Sequence, residues 1–124
     1  MKSYKDLDIY NLSLNLFYKT HQVSFKLPNY ELYELGSQIR RSSDSVPTNI
    51  VEGYGRKKYK ADFIKFLTYS YASNLETLCH FEKIQMLYPD FENEIKLLQN
   101  DYDVLGAKIF NFTKYVENNW NKFE

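Results

Sequence analysis

A single cysteine, Cys79, rules out an intrachain disulfide and fits a reducing cytoplasm. No apolar run approaches the roughly 18 residues that a membrane helix needs. The opening Met1-Lys2-Ser3-Tyr4-Lys5-Asp6 leads into no signal-peptide core. A cytoplasmic protein without membrane contact is expected. Net charge is absent as well: 16 basic residues balance 16 acidic ones, so the chain is no polycation. Strand-like alternation, Asn-Gly hairpins and internal repeats are missing. So is a glycine-rich phosphate loop, because Gly53-x-Gly55 is too short and lacks the following Lys-Ser/Thr.

What the chain does have is a moderate apolar content. At 124 residues and 44% hydrophobic it makes one globular domain, spanning 1–124, with a single core. Twelve tyrosines and nine phenylalanines supply large contact areas for that core and for subunit interfaces. The balanced charge is unevenly spread. Residues 36–65 carry seven cations against three acids, a balance of +4, and residues 66–124 carry five against nine, a balance of −4. Such a division fits an anion site, head-to-tail subunit contacts or neutralisation within the chain.

Four segments show helical periodicity. In the first, 6–26, Leu7, Tyr10, Leu14, Phe17, His21 and Phe25 form a stripe widened by Ile9, Leu12 and Leu16, with Asp6 and Asp8 as caps. In the second, 30–54, Leu32, Leu35, Ile39, Ser43, Val46 and Ile50 share one face after an Asn29 cap. Pro47 removes one hydrogen bond there and predicts a kink, and Gly53 and Gly55 are expected to stop the helix. In the third, 59–88, Phe63, Leu67, Ser70, Asn74, Leu78 and Phe81 follow a mixed spacing, and Ser70, Ala72 and Ser73 narrow the middle for close approach. In the fourth, 90–118, capped by Asp90, the residues Phe91, Ile95, Leu98, Tyr102, Leu105, Ile109, Phe112 and Val116 alternate steps of four and three. Gly106 inside it predicts a close contact, and 117–124 is expected to fray. Short connections make successive helices antiparallel neighbours. The expected fold is all-α, an up-down-up-down four-helix bundle.

The densest run of unusual residues is Gln38-Ile39-Arg40-Arg41-Ser42-Ser43-Asp44-Ser45-Val46-Pro47-Thr48-Asn49-Ile50-Val51-Glu52-Gly53-Tyr54-Gly55-Arg56. It resembles the signature of the bacterial four-helix-bundle proteins first met as reading frames in intervening sequences of 23S rRNA genes, often labelled ribosomal proteins. Leu7-Asp8-Ile9-Tyr10, Asp62-Phe63-Ile64-Lys65-Phe66-Leu67 and Ser73-Asn74-Leu75-Glu76 resemble the flanking parts of that family, so the likeness covers roughly residues 4–118. One departure is Ala72-Ser73 where many members have Gly-Ser; the small residue is kept. The resemblance implies a homopentameric ring. It also implies kinship in fold with accessory proteins of diversity-generating retroelements, thought to bind nucleic acid and a reverse transcriptase. It implies no established enzymatic activity.

Candidate sites follow. Arg56, Lys57, Lys58 and Lys60, with Arg40 and Arg41 a helix length away, are placed to hold phosphates, and Tyr54 and Tyr59 to stack bases. The stripe Gln38, Arg41, Ser45, Asn49 and Glu52, completed by Asn74 and Glu76, is expected to be a structural polar network inside the bundle or between subunits. Metal and cofactor chemistry fit poorly: Glu76 is followed three places on by Cys79, His80 comes one position late, and no second copy exists. Cys79 is expected to be packed, His80 partly exposed and His21 buried. Neither histidine follows an arginine at the Arg-x4–6-His spacing of small helical RNases, so no catalytic residue is expected. Two functions fit: a non-enzymatic oligomeric adaptor for structured RNA or DNA that also takes a protein partner, or an assembly unit whose basic loop docks an acidic face of the neighbouring subunit.

Overall fold

The computed structural model describes residues 2–120. It contains α1 (Asp8–Ser24), α2 (Leu35–Gly55), α3 (Lys60–Leu87) and α4 (Glu92–Asn118). Short 3-10 turns occupy Tyr4–Asp6, Asn29–Glu31 and Pro89–Phe91, and no strand occurs among the described residues. α2 lies between α1 and α3, and α4 closes the ring against α3 and, more lightly, α1. This is the expected antiparallel bundle. With 28 residues, α3 is about 42 Å long, so the two ends of the bundle are well separated.

The core is apolar through the middle: Leu16, Ile39, Ile50, Leu67, Phe81, Ile95, Leu105 and Ile109 are all shut off from solvent. The α4 stripe packs as its period predicts, with only Phe91 and Phe112 left half-buried. The α1 stripe is different. Ile9, Ser13, Leu16, Thr20 and Val23 face inward, whereas Tyr10, Leu14 and Phe17 are half-buried and His21 and Phe25 are exposed. Two hydroxyls disguise the true face. Ser13 Oγ donates to the Tyr10 carbonyl at 3.0 Å and Thr20 Oγ1 to the Leu16 carbonyl at 2.8 Å. Each thereby satisfies its polar atom within its own helix, so burial costs little.

Two boundaries also differ from expectation. Asn29 opens only a three-residue turn, and α2 begins at Leu35. The delay is built around Glu31, which is buried and accepts a hydrogen bond from the Tyr88 hydroxyl. Gly36 allows this turn to fold back on itself: a Cβ there would stand 2.7 Å from the Glu31 carbonyl oxygen. At its other end α2 stops at Gly55, with Arg56 as C-cap, as the two glycines predict. Asp90 forms part of a 3-10 turn and provides no side-chain cap to α4. Asp6 instead completes a capping box with Ser3 around the Tyr4–Asp6 turn. Hydrogen bonds from the Lys2 and Ser3 amides hold its carboxyl below the usual range. Of the expected fraying, residues 121–124 lie outside the described residues; α4 stays helical through Asn118, and Trp120 packs against the core.

Pro47 does not end α2, which is continuous from Leu35 to Gly55. Next to it, the Ser70 hydroxyl of α3 donates to the Val46 carbonyl at 2.7 Å, so α2 and α3 approach closely where Ser70 replaces a larger side chain. Ala72, by contrast, faces outward.

Candidate nucleic-acid interface

The turn from α2 to α3 is four residues, Arg56–Tyr59, and it is tight because Gly53 sits against α3. A Cβ on Gly53 would meet Phe66 Cβ at 3.1 Å and the Phe63 ring at 3.2 Å. Backbone bonds from Arg56 to the Glu52 and Gly53 carbonyls and from Tyr59 to the Arg56 carbonyl close the turn. Its cations sit at the C-terminus of α2, where the helix dipole favours positive charge. α3 opens from Tyr59 with no side-chain cap, leaving first-turn amides directed at the same end.

The cations of this turn are not equivalent. The Arg56 guanidinium lies 4.8 Å from the Phe66 ring centroid, 3.5 Å from Glu52 and 3.8 Å from Asp62. The Lys57 ammonium donates to the Tyr54 hydroxyl at 3.0 Å and stands 4.2 Å from that ring's centroid. Lys58 is exposed, 5.8 Å from the centroid of the exposed Tyr59 ring. Among the described residues no carboxylate comes within ion-pair distance of Lys58 or Lys60. Tyr54 is half-buried, with Tyr4 packed edge-on at 6.3 Å, so Tyr59 is the base-stacking ring the turn presents.

The other two arginines are at the opposite end of α2, fifteen or sixteen residues away, about 22–24 Å along the helix. Arg40 is turned into the protein. Its Nη1 donates to Ser24 Oγ at 3.0 Å, its Nη2 to the Leu32 carbonyl at 2.6 Å, and its guanidinium lies 4.7 Å from the Phe25 ring centroid. It fastens the α1–α2 connection. Arg41 is exposed, without a carboxylate partner among the described residues.

The polar stripe is not brought together as one network. Ser45 Oγ donates to the Arg41 carbonyl at 3.0 Å and Asn49 Nδ2 to the Ser45 carbonyl at 2.8 Å, each one turn back in its own helix. Glu52 reaches Arg56, and Gln38 is exposed. Asn74 lies elsewhere, fully buried, with its Nδ2 donating to the Tyr102 carbonyl at 2.9 Å. Glu76 is exposed and 3.1 Å from His80 Nε2.

Of the polar contacts that cross the bundle, the stripe reading named Asn74, which reaches Tyr102, and missed the hydroxyl contacts. Thr77 Oγ1 lies 2.9 Å from Ser42 Oγ, Ser70 bonds Val46, and Thr20 Oγ1 is 2.7 Å from the Tyr102 hydroxyl. Burial pushes the Tyr102 phenol well above its ordinary value, partly opposed by the Thr20 and Ser43 hydroxyls. Their shared signal is Ser or Thr at a core position of a helical stripe. Histidine and cysteine placements are reversed from expectation. Cys79 is exposed and His80 buried, because position 80 lies on the inward face of α3 with Thr77, Phe81 and Ile84 and position 79 turns away. His21 is exposed, its ring 5.8 Å from Phe17 and 4.9 Å from Phe25. No group of three His, Cys, Asp or Glu side chains converges on a metal position among the described residues.

The family model described as 23S rRNA-intervening sequence protein matches residues 5–111. The chain belongs to the 23S rRNA-intervening sequence protein family. A solved structure from Bacteroides thetaiotaomicron, described as a protein of unknown function from the S23 ribosomal protein family, superposes on this family member with a TM-score of 0.77 at 21% identity. The match covers 86% of this chain and 95% of that one, and it establishes the shared bundle fold. No curated protein matches this 23S rRNA-intervening sequence protein. No helix among its described residues is long and apolar enough to cross a membrane.

Proposed function

We propose that this protein is a non-enzymatic, oligomeric adaptor that holds structured RNA or DNA at the α2–α3 turn. The observation that carries this reading is the pair Lys58 and Lys60, without a carboxylate partner among the described residues, flanking the exposed Tyr59 where α3 begins without a side-chain cap. Ammonium groups and uncapped helix amides hold phosphate oxygens, and an exposed ring offers a stacking surface to an unpaired base. Arg56 and Lys57 stiffen the turn from beneath, and Arg40 has no part in binding. A homopentameric ring, implied by the family resemblance, would repeat this modest patch five times and raise its avidity.

Binding of a structured RNA pool and of duplex DNA, measured between low and moderate salt, tests the proposal. Affinity is expected to fall steeply with salt and to be lost in Lys58→Glu/Lys60→Glu, with the particle mass unchanged by light scattering. Salt-insensitive binding, or none, would remove the reading.

One observation favours the second reading, a pure assembly unit. At the end of the bundle opposite the basic turn, Glu34 and Asp90 are exposed with no cation in ion-pair distance among the described residues, whereas Glu92 and Glu94 are held by Lys96 and Lys26. The two charges can meet only between molecules. In that case charge reversal at the turn breaks the oligomer.

A further inference from the structure

The seam between α3 and α4 is open. One cleft of about 400 Å³ is walled by Tyr71, Leu75, Leu78 and Phe110. A second, about 250 Å³, continues along the same two helices from Tyr71 and Phe110 to Thr68 and Glu117. The rings of Tyr71 and Phe110, 6.1 Å apart, form the waist they share. The clefts thus form one groove, with centres about seven residues apart on α4, roughly 10 Å. Two turns of a helix cover the same distance.

The groove is built into the sequence. Gly106 and Ala107 put almost no side chain into it, and Gly106 leaves room for Asn74, whose Nδ2 would stand 2.9 Å from a Cβ there. Leu75 and Phe110 are each about half exposed, at 51% and 50%. Asn74, fully buried in the groove wall, has a carboxamide oxygen with no hydrogen-bond partner. The borders are acidic. Asp103 and Glu117 line the groove, Glu82 lies one turn beyond Leu78 on the same face of α3, and none of the three has a cation within ion-pair distance among the described residues. Lys114, 5.5 Å from the centroid of the Phe110 ring, is the single cation in the lining.

We propose that this groove docks an amphipathic helix of a partner protein, with large apolar side chains at i and i+7 seated in the two clefts and lysines or arginines along its flanks. Two pockets at helical spacing select a helix, and the unpaired Asp103 and Glu117 along the α4 border, with Glu82 beyond Leu78 on α3, select basic flanks. Leu97 and Val104 stand exposed seven residues apart on α4, but Asp101 and Asp103 flank them, so a second copy's α4 would set acid against acid, and the anchors come from another protein. The groove lies along the side of the bundle and is separate from the basic turn, so this docking stands or falls independently of nucleic-acid binding.

The test uses two 18-residue helical probe peptides, identical in their leucine anchors, one flanked by lysines and one by glutamates. Their binding to the full chain is followed by amide shift changes and fluorescence anisotropy. The lysine probe is expected to bind, with shifts confined to residues 68–82 and 99–117, and the glutamate probe to bind at least tenfold more weakly. Leu75→Ser/Phe110→Ser, both on the surface, should weaken the lysine probe at least tenfold and leave RNA affinity unchanged. Asp103→Lys/Glu117→Lys should abolish the preference between the probes. Equal affinity for both probes, or shifts elsewhere, overturns the proposal. So does a drop in particle mass in Leu75→Ser/Phe110→Ser, which would make the occupant a second copy of this chain.

Discussion

The two ends of α2 carry similar charge and use it differently. At its N-terminal end Arg40 makes two hydrogen bonds and a ring contact that tie α1 to the connection before α2. At its C-terminal end Arg56 and Lys57 fold onto their own turn, while Lys58 and Lys60 meet no carboxylate among the described residues. A basic balance of +4 over residues 36–65 therefore overstates the charge offered to a ligand. What counts is which cations lack a partner in the folded chain. Under the proposed function, Arg40 serves stability and Lys58 and Lys60 serve recognition.

The comparison breaks most readily at the Arg40 end. Gly36→Ala drives a methyl group to 2.7 Å from a backbone oxygen and 2.9 Å from Arg40 Nη1. A loss of about 3 kcal/mol is expected in chemical denaturation. Next comes Arg40→Gln, which removes charged hydrogen bonds to Ser24 and Leu32. It should cost about 2 kcal/mol and leave RNA affinity intact. If RNA affinity collapsed while the fold held, Arg40 would have to be returned to the binding surface.

The glycines sharpen the C-terminal end. Gly53→Ala should destabilise by about 1 kcal/mol by crowding Phe63 and Phe66, and Gly55→Ala, with nothing within 4 Å, should stabilise by about 0.5 kcal/mol. Equal effects at both positions would mean that α3 is not seated on Gly53. The smallest effect is at Asp6, whose turn reaches the basic end through Tyr4 and Tyr54. Its carboxyl is held below the ordinary 3.8, so the folded chain releases that proton more readily than the unfolded one. The stabilisation is present above about pH 4 and is lost as pH falls through the folded value. Thermal melts from pH 5 to pH 2.5 should show a smaller loss in Asp6→Asn than in the parent chain.

Much of this was legible in the residues. The α4 stripe is an unbroken apolar repeat, and it packs as its period implies. The close contact expected at Gly106 is there, supplied by Asn74. The face of α1 was not legible, because aromatic side chains at Phe17 and Phe25 outweigh Ser13 and Thr20 in any apolar count. Only a partner such as Tyr102 shows that a hydroxyl belongs inside. The start of α2 was hidden for a similar reason: Asn29 is a good cap by type, and the turn it opens is closed by Tyr88 from 57 residues beyond Glu31. Charges in the signature stretch could be counted in sequence, but their pairing could not, since Asp62, Phe66 and Ser24 all lie outside it.

The most direct test of the division between structural and recognising cations is the salt dependence of RNA affinity in three chains: the parent, Arg40→Gln and Lys58→Gln/Lys60→Gln. The parent and Arg40→Gln should show the same slope of log affinity against log salt. The lysine double variant should lose about 1.4–1.8 from that slope if both lysines contact phosphates in each bound subunit. An unchanged slope in the double variant, or a reduced one in Arg40→Gln, would contradict the account.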